Sequence, residues 1–259
     1  MQDWHKIGQE IIDWIKEYAV KNNILSLIIG VSGGIDSSVT STLCAKTGLK
    51  TIVLNMPINQ ERKQNELANK HIKWLKENWN NVESYGVDLT NTYEEFISNQ
   101  SKEYEFSELV LANTRSRLRM TTLYAIAGIN NGIVVGTGNK IEDFGIGFFT
   151  KYGDGGVDIS PIADLYKSEV YALAKSMSIT EEIQQAAPTD GLWDDGRTDE
   201  DQIGATYDEL EWAMKEIEKR SDSKYSTRQK EVMEIYLKMN KNNAHKMKPV
   251  PIFKRENIN

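Results

Sequence analysis

Cysteine is almost missing from this 259-residue chain. The single one, Cys44, has no partner within the chain, which excludes an internal disulfide and any Cys₂ or Cys₄ metal site built from one copy. A reducing cytoplasm is the expected location. Proline is scarce, with five residues, and no Ser/Gly-rich linker divides the chain, so residues 1–259 read as one domain with enough length to bury a real core. No apolar run approaches the roughly 20 residues needed to span a bilayer, so no membrane association is expected. The start, Met-Gln-Asp-Trp-His-Lys, lacks the basic and apolar regions of a secretion signal. Excess positive charge is absent too: 31 Lys plus Arg stand against 38 Asp plus Glu, a net charge of −7. That balance argues against nonspecific binding of nucleic acid or an anionic membrane, while leaving room for a local basic pocket. Histidines number three, without metal-ligand spacing or a Ser-His-Asp order, so covalent hydrolase chemistry has little support.

What is present alternates. Apolar residues at helical spacing mark an opening helix over 3–22. Short apolar runs at 25–31, 51–56, 82–87 and 132–136 read as strands, separated by helices at 36–47, 60–78, 91–99 and 106–128. Beyond residue 165 the pattern is helical, at 165–177, 202–219 and 226–240. Strand–helix–strand alternation at this spacing predicts an α/β fold, a doubly wound, mostly parallel sheet flanked by helices, with a helical C-terminal part. Ligands in such sheets bind beyond the carboxyl ends of the strands, which directs attention to the segments after residues 31, 56, 87 and 136. Residues 186–201 (AAPTDGLWDDGRTDED) are polar and rich in Gly and Asp; they read either as a mobile lid over a site or as a surface insertion.

Between the first strand and its helix lies Gly30-Val-Ser-Gly-Gly-Ile-Asp-Ser-Ser38. Gly33 and Gly34 let backbone approach a ligand, Ser32, Ser37 and Ser38 supply hydroxyls, and the helix start offers N–H donors, so the segment is an anion cradle. Asp36 would repel a phosphate unless a divalent cation lay between them. No Lys-Ser or Lys-Thr pair follows the glycines, so the loop is not of the Walker type, and the spacing of a dinucleotide fingerprint is incomplete. Residues 136–162 (GTGNKIEDFGIGFFTKYGDGGVDISPI) start at another predicted strand end and bring Thr137, Glu142, Lys151, Asp154 and Asp158 on a Gly-rich backbone. Glu142 suits a second metal-ligand role beside Asp36, since oxygen-only ligation favours Mg²⁺.

The Ser-Gly-Gly-Ile-Asp-Ser-Ser string resembles the signature loop of the ATP-pyrophosphatase (PP-loop) superfamily, whose members split ATP to AMP and pyrophosphate. The string at 136–162, NTRSRLRM at 113–120, DLYKSEVYALA at 164–174, PTDGLWDDGRTDEDQIG at 188–204 and HKMKPVP at 245–251 together resemble the NAD synthetase family, over about residues 26–251. The resemblance implies an adenine nucleotide alpha-hydrolase-like fold. It also implies a two-step reaction in which ATP adenylates the nicotinate carboxylate of deamido-NAD and ammonia then displaces AMP. On motif match, Gly30, Val31, Ser32, Gly33, Gly34, Ile35, Asp36 and Ser37 line the triphosphate, and Thr137, Lys167 and Thr189 also contact ATP. Asp36 and Glu142 hold Mg²⁺, and Asp36 and Lys167 carry the catalytic charge. Arg117, Lys151, Asp158, His245 and Lys246 hold deamido-NAD. Without the motif, Lys167 would read as a surface lysine snorkelling from an amphipathic helix.

The glutamine-dependent relatives carry a further nitrilase-like domain. About thirty residues precede the loop here, so free ammonia, or ammonia passed from a partner protein, is the expected nitrogen donor. A homodimer is implied, with helix 3–22 or helix 106–128 as interface or as core. Family lid loops read Gly-Gln-Thr-Asp-Glu, and Arg197 replaces the Gln. A tRNA-thiolating relative would want paired cysteines and a basic surface. A nonenzymatic nucleotide sensor would not need Asp36, Glu142, Lys151 and Lys167 together.

Overall fold

β1 (Ser26–Gly30) lies inside a four-stranded sheet with the order β3-β2-β1-β4, where β2 is Lys50–Asn55, β3 Val82–Gly86 and β4 Gly132–Val134. Every pairing is parallel, with Ile28 opposite both Ile52 and Val134. The structure, a computed structural model, describes residues 2–60, 62–100, 104–189, 198–219 and 224–255. Among these no helix is long and apolar enough to cross a membrane.

Alternation along β1 explains the layers, because successive side chains of a strand point to opposite faces. Leu27 and Ile29 pack with Ile15 of α1 (Trp4–Lys21), Val39 and Leu43 of α2 (Ile35–Lys46) and Val170 and Leu173 of α6 (Lys167–Ser176). On the same face Val53 meets Ala68, Ile72 and Leu75 of α3 (Arg62–Asn78). Ile28 points the other way, to Tyr93 of α4 (Thr90–Ser98) and Ala127 of α5 (Glu108–Ile129). Helices therefore cover both faces, and the expected doubly wound architecture is present. Cys44 is fully buried in the first of these layers, and burial pushes its thiol far up, so it packs as an apolar residue. His71, also fully buried, bonds Ser41 of α2 through Nε2 at 2.9 Å. Desolvation lowers its pKa to about 4 and keeps it neutral.

A separate apolar cluster forms from the C-terminal helices. Ile203 of α8 (Asp199–Ile203), Tyr207, Leu210 and Met214 of α9 (Tyr207–Lys219), and Val232 and Tyr236 of α10 (Thr227–Met247) enclose Ile141 and Ile146. Those two isoleucines bound a six-residue π-helical turn, Ile141–Ile146. A helix expected at 202–219 is thus two, broken where Gly204 takes a left-handed φ of +82°. The short α7 (Glu181–Gln184) leads into the expected lid, of which residues 190–197, Arg197 included, lie outside the described residues. The base of that loop is closed by a hydrogen bond from Asp199 N to Pro188 O, 3.0 Å.

The strand order places the reversal of winding between β1 and β4. In open α/β sheets a ligand crevice opens at that point, and here it separates the loop after β1 from the segment after β4.

Candidate active site

The loop after β1 is shaped by its own serines. Gly33 takes φ +89°, which turns the chain back, and Gly34 is the N-cap of α2. Ser37 and Ser38 hydroxyls donate to Gly34 O at 3.0 and 2.9 Å, and Ser37 Oγ accepts from Ser32 N at 3.2 Å. The loop is thereby fixed before any ligand enters. The first-turn N–H groups of α2 have no acceptor within the helix. Gly34, Ile35, Asp36 and Ser37, which carry them, line a cavity of about 110 Å³ together with Thr137, Glu142, Lys167 and Thr189.

Adjoining it is a larger cavity of about 160 Å³. Its walls are Leu54, Met56, Leu123, Val134 and Val157, and Gly30, Val31, Ser32 and Thr137 border it. Arg119 crosses its rim, donating to Met56 O at 2.9 Å and to Gln60 Oε1 at 3.0 Å. A largely apolar cavity beside an anion cradle suits a nucleotide base next to its phosphates.

At the centre of the smaller cavity lies a charge cluster. Lys167, the first residue of α6, is 3% exposed, so it does not snorkel to the surface. A cation there is disfavoured both by burial and by the positive end of the helix dipole. It is held by Asp36 Oδ2 at 2.5 Å and Glu142 Oε1 at 3.2 Å. Burial alone would pull the lysine down, but those two carboxylates outweigh it and keep the ammonium firmly protonated. Asn139, fully buried, joins the two acids. Its amide donates to Asp36 Oδ1 at 3.4 Å, and its oxygen caps the π-helical turn, accepting from Ile141 N and Glu142 N at 3.1 and 3.2 Å.

Tyr207 closes the group. Its hydroxyl donates to Glu142 Oε1 at 2.5 Å and lies 3.3 Å from Asp199 Oδ2, while Lys167 Nζ sits 4.5 Å from its ring centre. Sequence reasoning missed both Tyr207 and Asn139. Asn139 lies inside a string that resembles the family, but nothing in one sequence marks Tyr207, which is 65 positions from Glu142. Asp143 was missed as well. It lines the same cavity, and burial, with Glu142 and Asp154 nearby, pushes its carboxyl up to about 8. A side chain at Gly138 would meet its carboxylate, which would have to move.

The residues expected around the second substrate divide into two places. Arg117 donates to Lys151 O at 3.4 Å, and Lys151 Nζ donates to His245 O at 3.0 Å, so these three and Lys246 are contiguous. Lys246 is engaged with backbone: Nζ donates to Gly147 O and Phe149 O at 2.7 and 2.6 Å, and burial draws its pKa down. Asn240 and Asn243 make the same kind of bond to Gly145 O and Ile146 O at 2.7 and 2.8 Å. Residues 240, 243 and 246, at three-residue spacing, present one helix edge to the end of the π-helical turn, whose carbonyls have no partner of their own. This brace carries α10 seven residues beyond the expected end at 240, where an Asn-Lys-Asn-Asn run ends the apolar period. Asp158 stands beside α5, two turns further along than Arg117. Both of its oxygens serve the sheet edge, accepting from Val134 N at 2.7 Å and Tyr124 Oη at 3.1 Å.

Among the described residues no group of three or more His, Cys, Asp or Glu side chains is arranged to hold a metal by itself. The pair Asp36 and Glu142 fits an ion that takes one or two carboxylates and completes its shell with substrate phosphates and water. That is the habit of Mg²⁺.

A parallel sheet with an anion cradle after its first strand, an acid pair and a buried lysine at the switch point defines an ATP-dependent enzyme of the PP-loop fold. Residues 7–250 match the family model described as NAD synthase. The chain is 37% identical over 212 residues to the NH₃-dependent NAD⁺ synthetase of Carboxydothermus hydrogenoformans, covering 81% of this chain and 84% of that one. Among solved structures it is similar to the NMN synthetase of Francisella tularensis (TM-score 0.86, 32% identity, 98% of this chain and all of that one). It is also similar to the NH₃-dependent NAD synthetase of Campylobacter jejuni (TM-score 0.79, 27% identity, the same coverage). The chain belongs to the NAD synthase family.

Proposed function

We propose that this site carries out the last step of NAD biosynthesis, the ATP-dependent amidation of deamido-NAD by ammonia. The observation that carries the reading is the buried Asp36–Lys167–Glu142 cluster at the mouth of the anion cradle, between the ends of β1 and β4. A carboxylate resists attack by ammonia until one oxygen becomes a leaving group. In the first step a nicotinate oxygen attacks the α-phosphorus of ATP and pyrophosphate leaves. In the second, the nitrogen lone pair of ammonia attacks the acyl carbon, the bond to the AMP oxygen breaks, and the nitrogen loses a proton.

Negative charge grows on the phosphates in the first step. The chain answers it with the N–H groups at the start of α2, the hydroxyls of Ser32, Ser37, Thr137 and Thr189, and the Lys167 ammonium. Asp36 and Glu142 would hold Mg²⁺, which would supply further charge neutralisation at the phosphates. The apolar cavity of Leu54, Met56 and Val134 takes the adenine, and Gly30 to Ile35 follow the triphosphate. Arg117, Lys151, Asp158, His245 and Lys246 take the acidic dinucleotide. The start of α5 leaves Leu109 and Val110 exposed, apolar side chains suited to contact with a second copy of the chain. One domain over 1–259, with residues 186–201 as its lid, and a cytoplasmic location complete the reading.

A second acceptor is favoured by one observation, the TM-score of 0.86 to an NMN synthetase. The mononucleotide presents the same carboxylate to the same acid–lysine cluster. One assay tests both. Purified protein with ATP, Mg²⁺ and ammonium is given deamido-NAD or nicotinate mononucleotide, and nucleotides are separated by chromatography. NAD and AMP in equal amounts from deamido-NAD, with a larger kcat/KM than for the mononucleotide, is expected. A folded protein that forms NMN and no NAD would move the assignment to the mononucleotide.

A further inference from the structure

We propose that the Lys167 ammonium is an internal stand-in for the divalent cation. It holds Asp36 and Glu142 together until metal binds, and it must then yield its carboxylate contacts. The inference rests on the proposed function, because that reading makes these two acids the metal ligands.

Repulsion sets the problem. Asp36 and Glu142 share a cavity that Asp143 and Asp154 also line, and like charges so placed cannot all remain ionised without a counter-charge. Lys167 Nζ supplies it at 2.5 Å from Asp36 Oδ2 and 3.2 Å from Glu142 Oε1. The surroundings fix the carboxylates around that point. Asn139 donates to the other oxygen of Asp36, and Tyr207 donates to the same Glu142 oxygen that Lys167 contacts. Mg²⁺ draws oxygen ligands to roughly 2.0–2.1 Å. An ammonium already on the same oxygens occupies the lone pairs and the space such an ion needs. The two cations therefore compete, and each weakens the other's binding.

Competition has a use in the reaction. The cavity that holds Lys167 is also lined by Ser37, Thr137 and Thr189, so an ammonium displaced from the carboxylates stays among the groups proposed to meet phosphate. Its four-carbon stem allows that swing while its backbone remains the first residue of α6. Arrival of metal would thus release the lysine at the moment the phosphates need it.

The prediction runs against the usual effect of losing a catalytic residue. Lys167→Met should bind Mn²⁺ in the absence of ATP at least about tenfold more tightly than the wild-type chain, measured by electron paramagnetic resonance of free Mn²⁺. An equal or weaker affinity in a folded variant overturns the proposal. A second measurement follows the unaltered protein and does not depend on Lys167→Met folding. With ¹⁵N-labelled lysine, the Lys167 ammonium should give an exchange-protected side-chain signal, assigned by its loss in Lys167→Arg. Mg²⁺ alone should shift or abolish that signal at saturation; an unchanged signal contradicts displacement. Neither readout needs deamido-NAD, so failure here is separate from failure to form NAD.

Discussion

Asp36→Asn should lower kcat for NAD formation by about 10²–10³-fold, the scale on which removal of one preorganised electrostatic group from a transition state is felt. The residue faces three demands at once. It is the nearer partner of the buried Lys167, it accepts from Asn139, and it is one of two oxygen ligands suited to Mg²⁺. Asparagine keeps the shape and loses the charge. Glu142 still contacts Lys167 at 3.2 Å, so the fold should stand, and an unchanged far-ultraviolet spectrum checks that. The Mg²⁺ dependence of the remaining activity should move to higher concentration. Turnover within threefold of wild type at saturating Mg²⁺ would remove Asp36 from the site.

Gly33→Ala should cost the fold a large part of its stability. Its φ of +89° is one that L side chains rarely adopt, and holding a residue in a disfavoured backbone region costs about 1–3 kcal/mol. The added carbon also meets backbone, standing 2.8 Å from Ala68 N and 2.9 Å from Gln64 O. Both atoms belong to α3, which is packed on β2 through Ala68, Ile72 and Leu75 and cannot retreat as a flexible side chain would. Together these place the cost at about 2–4 kcal/mol, or a fall in Tm of roughly 5–15 °C for a chain of this size. Weaker ATP binding should accompany it, because the same turn shapes the cradle. A Tm within about 1 °C of wild type, by calorimetry, would show that the loop relaxes without cost.

Several features of the molecule are legible in its amino-acid order alone. The apolar run predicts a strand over 25–31, and β1 spans Ser26–Gly30; the pattern after it predicts a helix over 36–47, and α2 spans Ile35–Lys46. Both rest on local signals, an apolar run and a glycine turn, and such signals survive folding. The acid pair and Lys167 can be named because family strings carry them, although their meeting spans 131 positions between Asp36 and Lys167. What is not legible depends on tertiary partners. The π-helical turn at Ile141–Ile146 has no composition of its own; its C-terminal carbonyls are satisfied by Asn240, Asn243 and Lys246, nearly a hundred residues away. For the same reason α10 outruns its apolar pattern. Tyr207 looks like one more aromatic on an amphipathic helix until its hydroxyl is seen between Glu142 and Asp199. Lys246, which the family string marks for substrate, also has a part that no string marks: its ammonium donates to the backbone that carries the site.

The net charge of −7 also gains a local meaning. A chain proposed to bind two anionic substrates places one buried lysine among its acids and leaves the remaining neutralisation to helix N–H groups and a divalent ion.

Adenylation of the nicotinate carboxylate, followed by its displacement by ammonia, leaves a signature in the oxygen atoms. Deamido-NAD carrying ¹⁸O in that carboxylate is incubated with ATP, Mg²⁺, ammonium and the purified protein, and the products are followed by mass spectrometry. One labelled oxygen should pass to AMP for each NAD formed. Unlabelled AMP, or ADP and phosphate in its place, would show that the carboxylate is not activated in this way.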